Sequence, residues 1–465
     1  MQLLRTHDES SRAGPSPLLS AVHTPSDQTQ VAGALAAAFL AGEWTEEALV
    51  RRAREAVAPP PRWLRRVAAA VVAAYPRPPQ DRPRELAAYV RLTIAGLRAG
   101  PELSGPPRVR RWFVSQERMG RRRWPVAELE TAADLAALLG LDAGRLDWLA
   151  DARGLERSVD SEQLRNYRYA WLPRRGAPPR LVEQPKSMLK AAQRRVLREV
   201  LDHVPAHDAA HGFVAGRSAR SHAAAHAGAA VVVRLDLEDF FASVTASRVF
   251  GIFRTAGYAE GVAYALTALC TNVVPRGEWA ALPRPSDDVI AAHWRLGRRL
   301  ATPHLPQGAP TSPALASLAT FTLDRRLAGL AAAFDARYTR YADDLAFSGT
   351  ASLASGRLVG LAAEIARDEG FLLNPSKTRV MPRSGRQQLC GVVVNEHPNV
   401  PRAHYDLLKA TLHDAASNGV EAANRAGHPD FRAHLLGRIA WVEQLNPPRG
   451  RRLRERFAAI SWPAH

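Results

Sequence analysis

Along VVVRLDLEDFF, Val233, Leu235 and Leu237 fall on one side and Arg234 and Asp236 on the other, which predicts a buried strand with Asp236 on a sheet surface near its edge. In RYADDLAFS, Tyr338 to Tyr341 and Leu345 to Ser348 flank Ala342-Asp343-Asp344, a pattern that predicts two short strands joined by a tight turn with carboxylates at the tip. Elsewhere helical spacing dominates. QVAGALAAAFLAGEW, EEALVRRAREAVA and RWLRRVAAAVVAAY are rich in helix-favouring Ala, Leu and Arg, and PRPPQDRP at Pro76 to Pro83 separates two of the helices. Thr131 to Gly154 reads as two short helices around Gly140, loosely like a helix-turn-helix, although such pairs most often simply pack. Residues 1–28, rich in Ser, Thr, Pro and charge, read as a loose tail. A proline-broken insert at about 272–303 reads as a loop plus one helix, Asp288 to Arg299; its Trp279 and Trp294 fit either base stacking or burial. From about Pro401 the chain is helical and basic.

The acids change the picture. Asp236 and the Asp343-Asp344 pair look like the halves of one metal-binding centre, because a strand end and a hairpin tip can lie side by side. Nucleotidyl transfer needs such clustering: two cations roughly 4 Å apart activate the attacking oxygen and stabilise the leaving pyrophosphate. Mg²⁺ is the expected ion, two of them, with Mn²⁺ a substitute in the same oxygen site. An isolated Asp-Asp pair is usually a solvated turn; here aromatic and apolar strands frame it.

Charge agrees with work on a polyanion. The 465 residues carry 63 Lys+Arg against 45 Asp+Glu, net +18, which also suits a membrane-surface or ribosomal protein and identifies no chemistry by itself. Only Cys270 and Cys390 occur, so a disulfide framework or zinc ribbon is not expected. No apolar run is long enough to span a bilayer, and the expectation is a soluble, cytoplasmic protein with no membrane partner.

Three ordered strings now match a known family: LDLEDFF at Leu235 to Phe241, LPQGAPTSP at Leu305 to Pro313 and YADD at Tyr341 to Asp344 resemble bacterial reverse transcriptases of the retron type, from about Asn166 to the C-terminus. The resemblance implies an α+β right-hand polymerase. Residues 29–160 would be a helical N-terminal extension, 161–230 the fingers, 231–395 the palm and 396–465 the thumb. By the same resemblance Asp236 and Asp343 are metal ligands with Asp344 as supporting carboxylate, and Lys377 is a general acid near the leaving pyrophosphate. Phe241 is a ring under the incoming sugar that favours deoxynucleotides, and its neighbour Phe240 is a core aromatic. Gln307 and Gly308 belong to the nucleotide pocket, Gly308 through close backbone approach. Arg180 and, less firmly, Lys186 bind the triphosphate; Arg174 and Arg175 are as readily solvated surface charge.

Two further strings depart from the family. Retron enzymes carry NAxxH and VTG; here stand His222-Ala223-Ala224-Ala225-His226 and Leu389-Cys390-Gly391, with only His226 and Gly391 kept, which puts recognition of a cognate RNA in question. His222 and His226 lack a third ligand at metal spacing, leaving packing or RNA contact. The resemblance implies a structured non-coding RNA as template and primer, dNTPs, an RNA–DNA hybrid product and antiphage defence, and leaves room for an effector protein. The alternatives are a non-retron bacterial reverse transcriptase, defence-associated or group II intron-like, and a non-catalytic RNA-binding scaffold.

Overall fold

The computed structural model describes residues 27–97, 107–113, 117–151, 154–159 and 161–462. The chain forms two compact units, Met1–Glu117 and Arg118–His465. Residues 1–26, nearly all of the expected tail, lie outside the described residues.

The first unit packs helices Asp27–Leu40, Glu46–Ala56, Leu64–Ala74 and Pro83–Leu97, with a short ladder between β1 (Val57–Ala58) and β2 (Arg108–Val109). Its core joins Leu35, Phe39, Leu49, Val67, Leu86 and Val90, one apolar stripe from each helix. Arg52 is buried there because backbone carbonyls satisfy it: its guanidinium donates to Ala38 O at 2.6 Å, Phe39 O at 3.1 Å and Glu43 O at 2.6 Å.

The compact first unit ends before residue 160. Helices Ala132–Leu139 and Ala143–Ala150, the pair around Gly140, belong to the second unit, where Leu135, Leu146 and Leu149 enter its main core. They pack, as short helical pairs usually do.

The second unit is organised by a four-stranded antiparallel sheet, β6 (Arg337–Tyr341), β7 (Asp344–Gly349), β5 (Val231–Asp236) and β8 (Arg379–Pro382), in that spatial order. β5 is therefore an interior strand, and Asp236 sits at its end rather than on an edge strand. Val231, Val233 and Leu235 of β5, with Leu345 and Phe347 of β7, enter the main core. The alternate residues Val232 and Ala346 pack into a second core with Leu389, Val392 and the C-terminal helices Arg402–Ser417 and Phe431–Leu445. Both faces of the sheet are thus covered.

A hairpin of β3 (Tyr167–Leu172) and β4 (Arg180–Pro185) precedes the sheet, with Arg174-Arg175-Gly176 in its connection. A smaller hairpin, β9 (Gln388–Leu389) and β10 (Val392–Val393), turns through Cys390 (φ 46) and Gly391 (φ 82). The insert holds two helices, Arg276–Ala280 and Ile290–Leu300, not one. Trp279 packs on Trp171 and His293, whereas Trp294 is 56% exposed.

Candidate active site

Register places the acids. β5 and β7 pair Asp236 opposite Asp344, and Leu237 N donates to Asp343 O at 2.9 Å, so the strand end and the hairpin tip meet. The tip is a two-residue loop in which Ala342 takes a left-handed backbone (φ 56), uncommon for a residue with a Cβ. Two neighbours fix it: Arg340 donates to Ala342 O at 3.0 Å, and the Gly212 backbone lies so close that a Cβ there would fall 2.4 Å from Ala342 N.

Asp236 and Asp343 line a cleft of about 720 Å³. Asp236 is only 3% exposed, and the Lys377 ammonium sits 2.8 and 3.0 Å from its two oxygens. Burial first, and then the nearby Asp343, hold Asp236 above the usual carboxylate range, against the pull of Lys377. Asp343 is held high by burial and by Asp344, with Lys377 and Arg180 opposing. Among the described residues no side chain hydrogen-bonds to the Asp343 carboxylate.

Asp344 goes elsewhere. Arg234 grips it with Nε at 2.9 Å and Nη2 at 2.7 Å from Oδ1 and Nη2 at 3.0 Å from Oδ2, and Cys390 Sγ lies 3.7 Å from Oδ2. Like charges directly across a ladder repel, and this fork offsets the repulsion between Asp236 and Asp344. The expected three-acid set is therefore two acids in the cleft and one held in an ion pair beside it. No group of three or more His, Cys, Asp or Glu side chains gathers as a metal site among the described residues. Asp236 and Asp343 nevertheless suit a hard cation. Asp236 is buried and Asp343 half-buried, both offer only oxygen, their backbones meet through Leu237 N and Asp343 O, and Asp236 already holds a side-chain ammonium.

The walls follow from the other elements. Arg174, Arg175 and Arg180 bring the β3–β4 hairpin to the cleft, with Gln307, Phe241 and Lys377 around it. Both Phe240 and Phe241 border the cleft, but Phe240 is 5% exposed and a member of the core, whereas Phe241 is half-buried and packs against that core from its margin. The insert supplies a wall through Ala292, Arg295 and Leu296, which its sequence did not suggest. Lys186 points away: its ammonium donates to the Glu162 and Gln163 carbonyls, and it does not line the cleft.

Gly308 has a different reason to be glycine. At φ 134 a Cβ would stand 2.8 Å from the Glu183 carbonyl, so the close approach is to β4. That approach is fixed by Glu183 N donating to Gln307 O at 2.8 Å. The Glu183 side chain is 1% exposed; its Oε1 accepts from Asn272 Nδ2 at 2.8 Å and its Oε2 lies 3.1 Å from His304 Nε2. This network ties the arginine-bearing hairpin to the loop that carries Gln307. Its partners lie far apart in sequence and gave no local signal.

Burial disfavours the His304 cation, but Glu183 and the Thr302 carbonyl outweigh it and raise the pKa above its ordinary 6.5. A raised folded-state value contributes stability that is fully present below about 6.5 and lost as pH rises through the raised value. We expect the thermal midpoint of the native chain to fall relative to His304→Gln as pH rises above about 6.5. Parallel pH profiles for the two proteins would show that the pair is not ionised.

The remaining candidates are separated by burial. His226 is fully buried, with Nδ1 2.7 Å from Ser348 Oγ and Nε2 2.7 Å from Thr339 Oγ1; His222 Nδ1 lies 2.7 Å from the same Thr339 hydroxyl. Burial lowers these histidines to about 3 and about 2, so both are neutral packing groups, and His226 has no free ring nitrogen for RNA. Gly391 is exposed on the β9–β10 turn, with open space where a Cβ would stand.

Known proteins share parts of this sequence. Residues 173–394 match the family model described as reverse transcriptase (RNA-dependent DNA polymerase). The chain is 41% identical over 335 residues to the Retron Mx65 reverse transcriptase of Myxococcus xanthus, covering 72% of this chain and 73% of that one. It is 38% identical to the Retron Mx162 reverse transcriptase of the same organism, over 70% of this chain and 66% of the relative. It is also 33% identical to the Retron Ec86 reverse transcriptase of Escherichia coli, over 53% and 69% respectively. A foamy viral protease-reverse transcriptase solved in complex with double-stranded DNA aligns at TM-score 0.35 and 12% identity, over 66% of this chain and 42% of that chain.

Proposed function

This chain belongs to the retron-type reverse transcriptases and is an RNA-directed DNA polymerase, and from that premise we propose that it copies a structured non-coding RNA, serving as template and primer, into DNA as part of an antiphage system. The observation that carries the catalytic part is the meeting of Asp236 and Asp343 on the floor of a cleft walled by arginines. The family uses divalent ions; here Asp236 and Asp343 would hold two Mg²⁺, which supply Lewis-acid stabilisation of the attacking and leaving oxygens. Asp344 supports them from outside the cleft, fixed by Arg234.

The chain's own groups do the rest. Arg180 binds the triphosphate with a planar fork of donors, with Arg174 and Arg175 adding positive field along the same wall. Lys377, whose ammonium lines the cleft against Asp236, would be placed to give a proton to the departing pyrophosphate oxygen. Phe241 occupies the space below the incoming sugar and disfavours a 2′-hydroxyl, while Gln307 hydrogen-bonds the nucleotide. In this layout the β3–β4 hairpin is the fingers, the four-stranded sheet the palm and the helices after Pro401 the thumb, whose basic face positions the duplex through its phosphates. No described helix is long and apolar enough to cross a membrane.

The test is the nucleic acid that copurifies with the full chain. The expected result is DNA covalently joined to RNA, shortened but not freed by ribonuclease. DNA with no attached ribonucleotide would overturn the retron part of the reading and favour a non-retron reverse transcriptase.

A further inference from the structure

The insert helix Ile290–Leu300 reaches the corner that follows the first acidic strand. Arg295 and Arg299, four apart and so on one helix face, take the two carboxylates after Leu237. Arg295 forks onto Glu238, Nε to Oε1 at 2.9 Å and Nη2 to Oε2 at 3.2 Å. Arg299 Nη1 lies 2.8 Å from Asp239 Oδ2, 3.5 Å from Glu238 Oε1 and 3.3 Å from the Glu238 carbonyl. The Arg299, Glu238 and Asp239 side chains are 17%, 15% and 12% exposed, so solvent screens these pairs less than ordinary surface pairs.

The corner is where the chain decides which ring faces the cleft. Asp239 has φ 47 and ψ 48, a left-handed conformation at a residue that is not glycine, and the single turn Phe240–Ser243 begins there. Ser243 N closes that turn on Asp239 O at 2.9 Å, and Ser243 Oγ caps the Glu238 and Asp239 carbonyls at 3.1 and 3.0 Å. Phe240 is then buried in the core, while the more exposed Phe241 stays half-buried at the margin of the cleft. The same insert helix is seated by Leu296 and Leu300 in a small apolar cluster with Leu181 of β4, against which Ala242 also packs. Charge and packing therefore hold one corner from one side.

We propose that Arg295 and Arg299 are positioning residues for sugar selection: the insert helix holds the Glu238–Asp239 corner in the left-handed turn that aims Phe241 into the cleft. This rests on the reading of Phe241 as the ring beneath the incoming sugar. The insert is thereby part of the nucleotide site although neither arginine needs to touch the nucleotide.

The experiment measures kcat/KM for a dNTP and for the matching rNTP on a defined RNA template with a DNA primer, using the full chain. Arg299→Ala and Asp239→Asn are each expected to lower the dNTP-over-rNTP ratio about tenfold, and the double variant no further than either alone, because both remove one interaction. Arg299→Lys should restore most of the ratio by returning a charge to Asp239. Asp239→Asn keeps size and tolerance of a left-handed backbone, so it remains informative if Arg299→Ala folds poorly. Phe241→Ala is the control that separates the two ideas. If Phe241→Ala loses discrimination while Arg299→Ala and Asp239→Asn keep it, or slow both nucleotides equally, the positioning role is wrong and the gate stands. If Phe241→Ala keeps discrimination, the gate itself is wrong and the positioning role falls with it.

Discussion

Asp343→Asn is expected to lower primer extension on an RNA template by on the order of a thousandfold, while the folded chain becomes no less stable. The substitution keeps the size of the side chain and removes one of the two carboxylates, Asp236 and Asp343, that the end of β5 and the β6–β7 turn bring to the cleft. Loss of that charge removes a hard oxygen ligand from the place where negative charge develops during transfer. Stability should move the other way. Burial and Asp344 raise the Asp343 pKa, so the ionised carboxylate costs folding free energy at neutral pH, a cost that appears as pH rises through the raised value. A neutral amide avoids it. Measured in chelator, the thermal midpoint of Asp343→Asn should equal or exceed that of the native chain, with RNA binding retained. Extension within about tenfold of native would sink the assignment of Asp343 to the reaction.

The second large effect is on stability, just behind the tip of the same hairpin. Arg340 and Asp324 form an ion pair with both side chains 0% exposed, Nη2 to Oδ2 at 2.7 Å and Nε to Oδ1 at 2.8 Å, and Tyr338 OH donates to Asp324 Oδ1 at 2.8 Å. Asp324→Ala strands a guanidinium in the core, a change that costs roughly 3–5 kcal/mol. Urea unfolding followed by tryptophan fluorescence should show it. Replacing both partners with apolar residues, Asp324→Leu with Arg340→Met, should recover much of the loss, because the penalty lies in the unpaired charge. The double variant should still extend primers slowly, since Arg340 also holds the Ala342 carbonyl behind Asp343. A loss below about 1 kcal/mol for Asp324→Ala would mean that water reaches the pair.

How much was legible depended on range. Alternation in VVVRLD gave β5 and the division of its faces, and YADD between apolar runs gave the β6–β7 hairpin, because each signal lies within a few residues. The fate of Asp344 was not legible: Arg234 lies 110 residues away in sequence, and only strand register brings it onto that carboxylate. Lys186 shows the same limit from the other side. Its sequence context suited a phosphate ligand, yet its ammonium is spent on two backbone carbonyls. Gly308 reads in the sequence as a glycine of close approach, and the approach this fold imposes there is to the Glu183 carbonyl of β4.

Local periodicity and charge determined by themselves that this chain has acidic strand ends and helical flanks, because side-chain direction repeats every two or 3.6 residues whatever surrounds it. Tertiary structure alone decided which acids face the cleft, that the insert forms one of its walls, and that Glu183, Asn272 and His304 join hairpin to loop. Those choices depend on buried charges finding partners across more than fifty residues, and a buried charge is stable only where the folded chain supplies its partner.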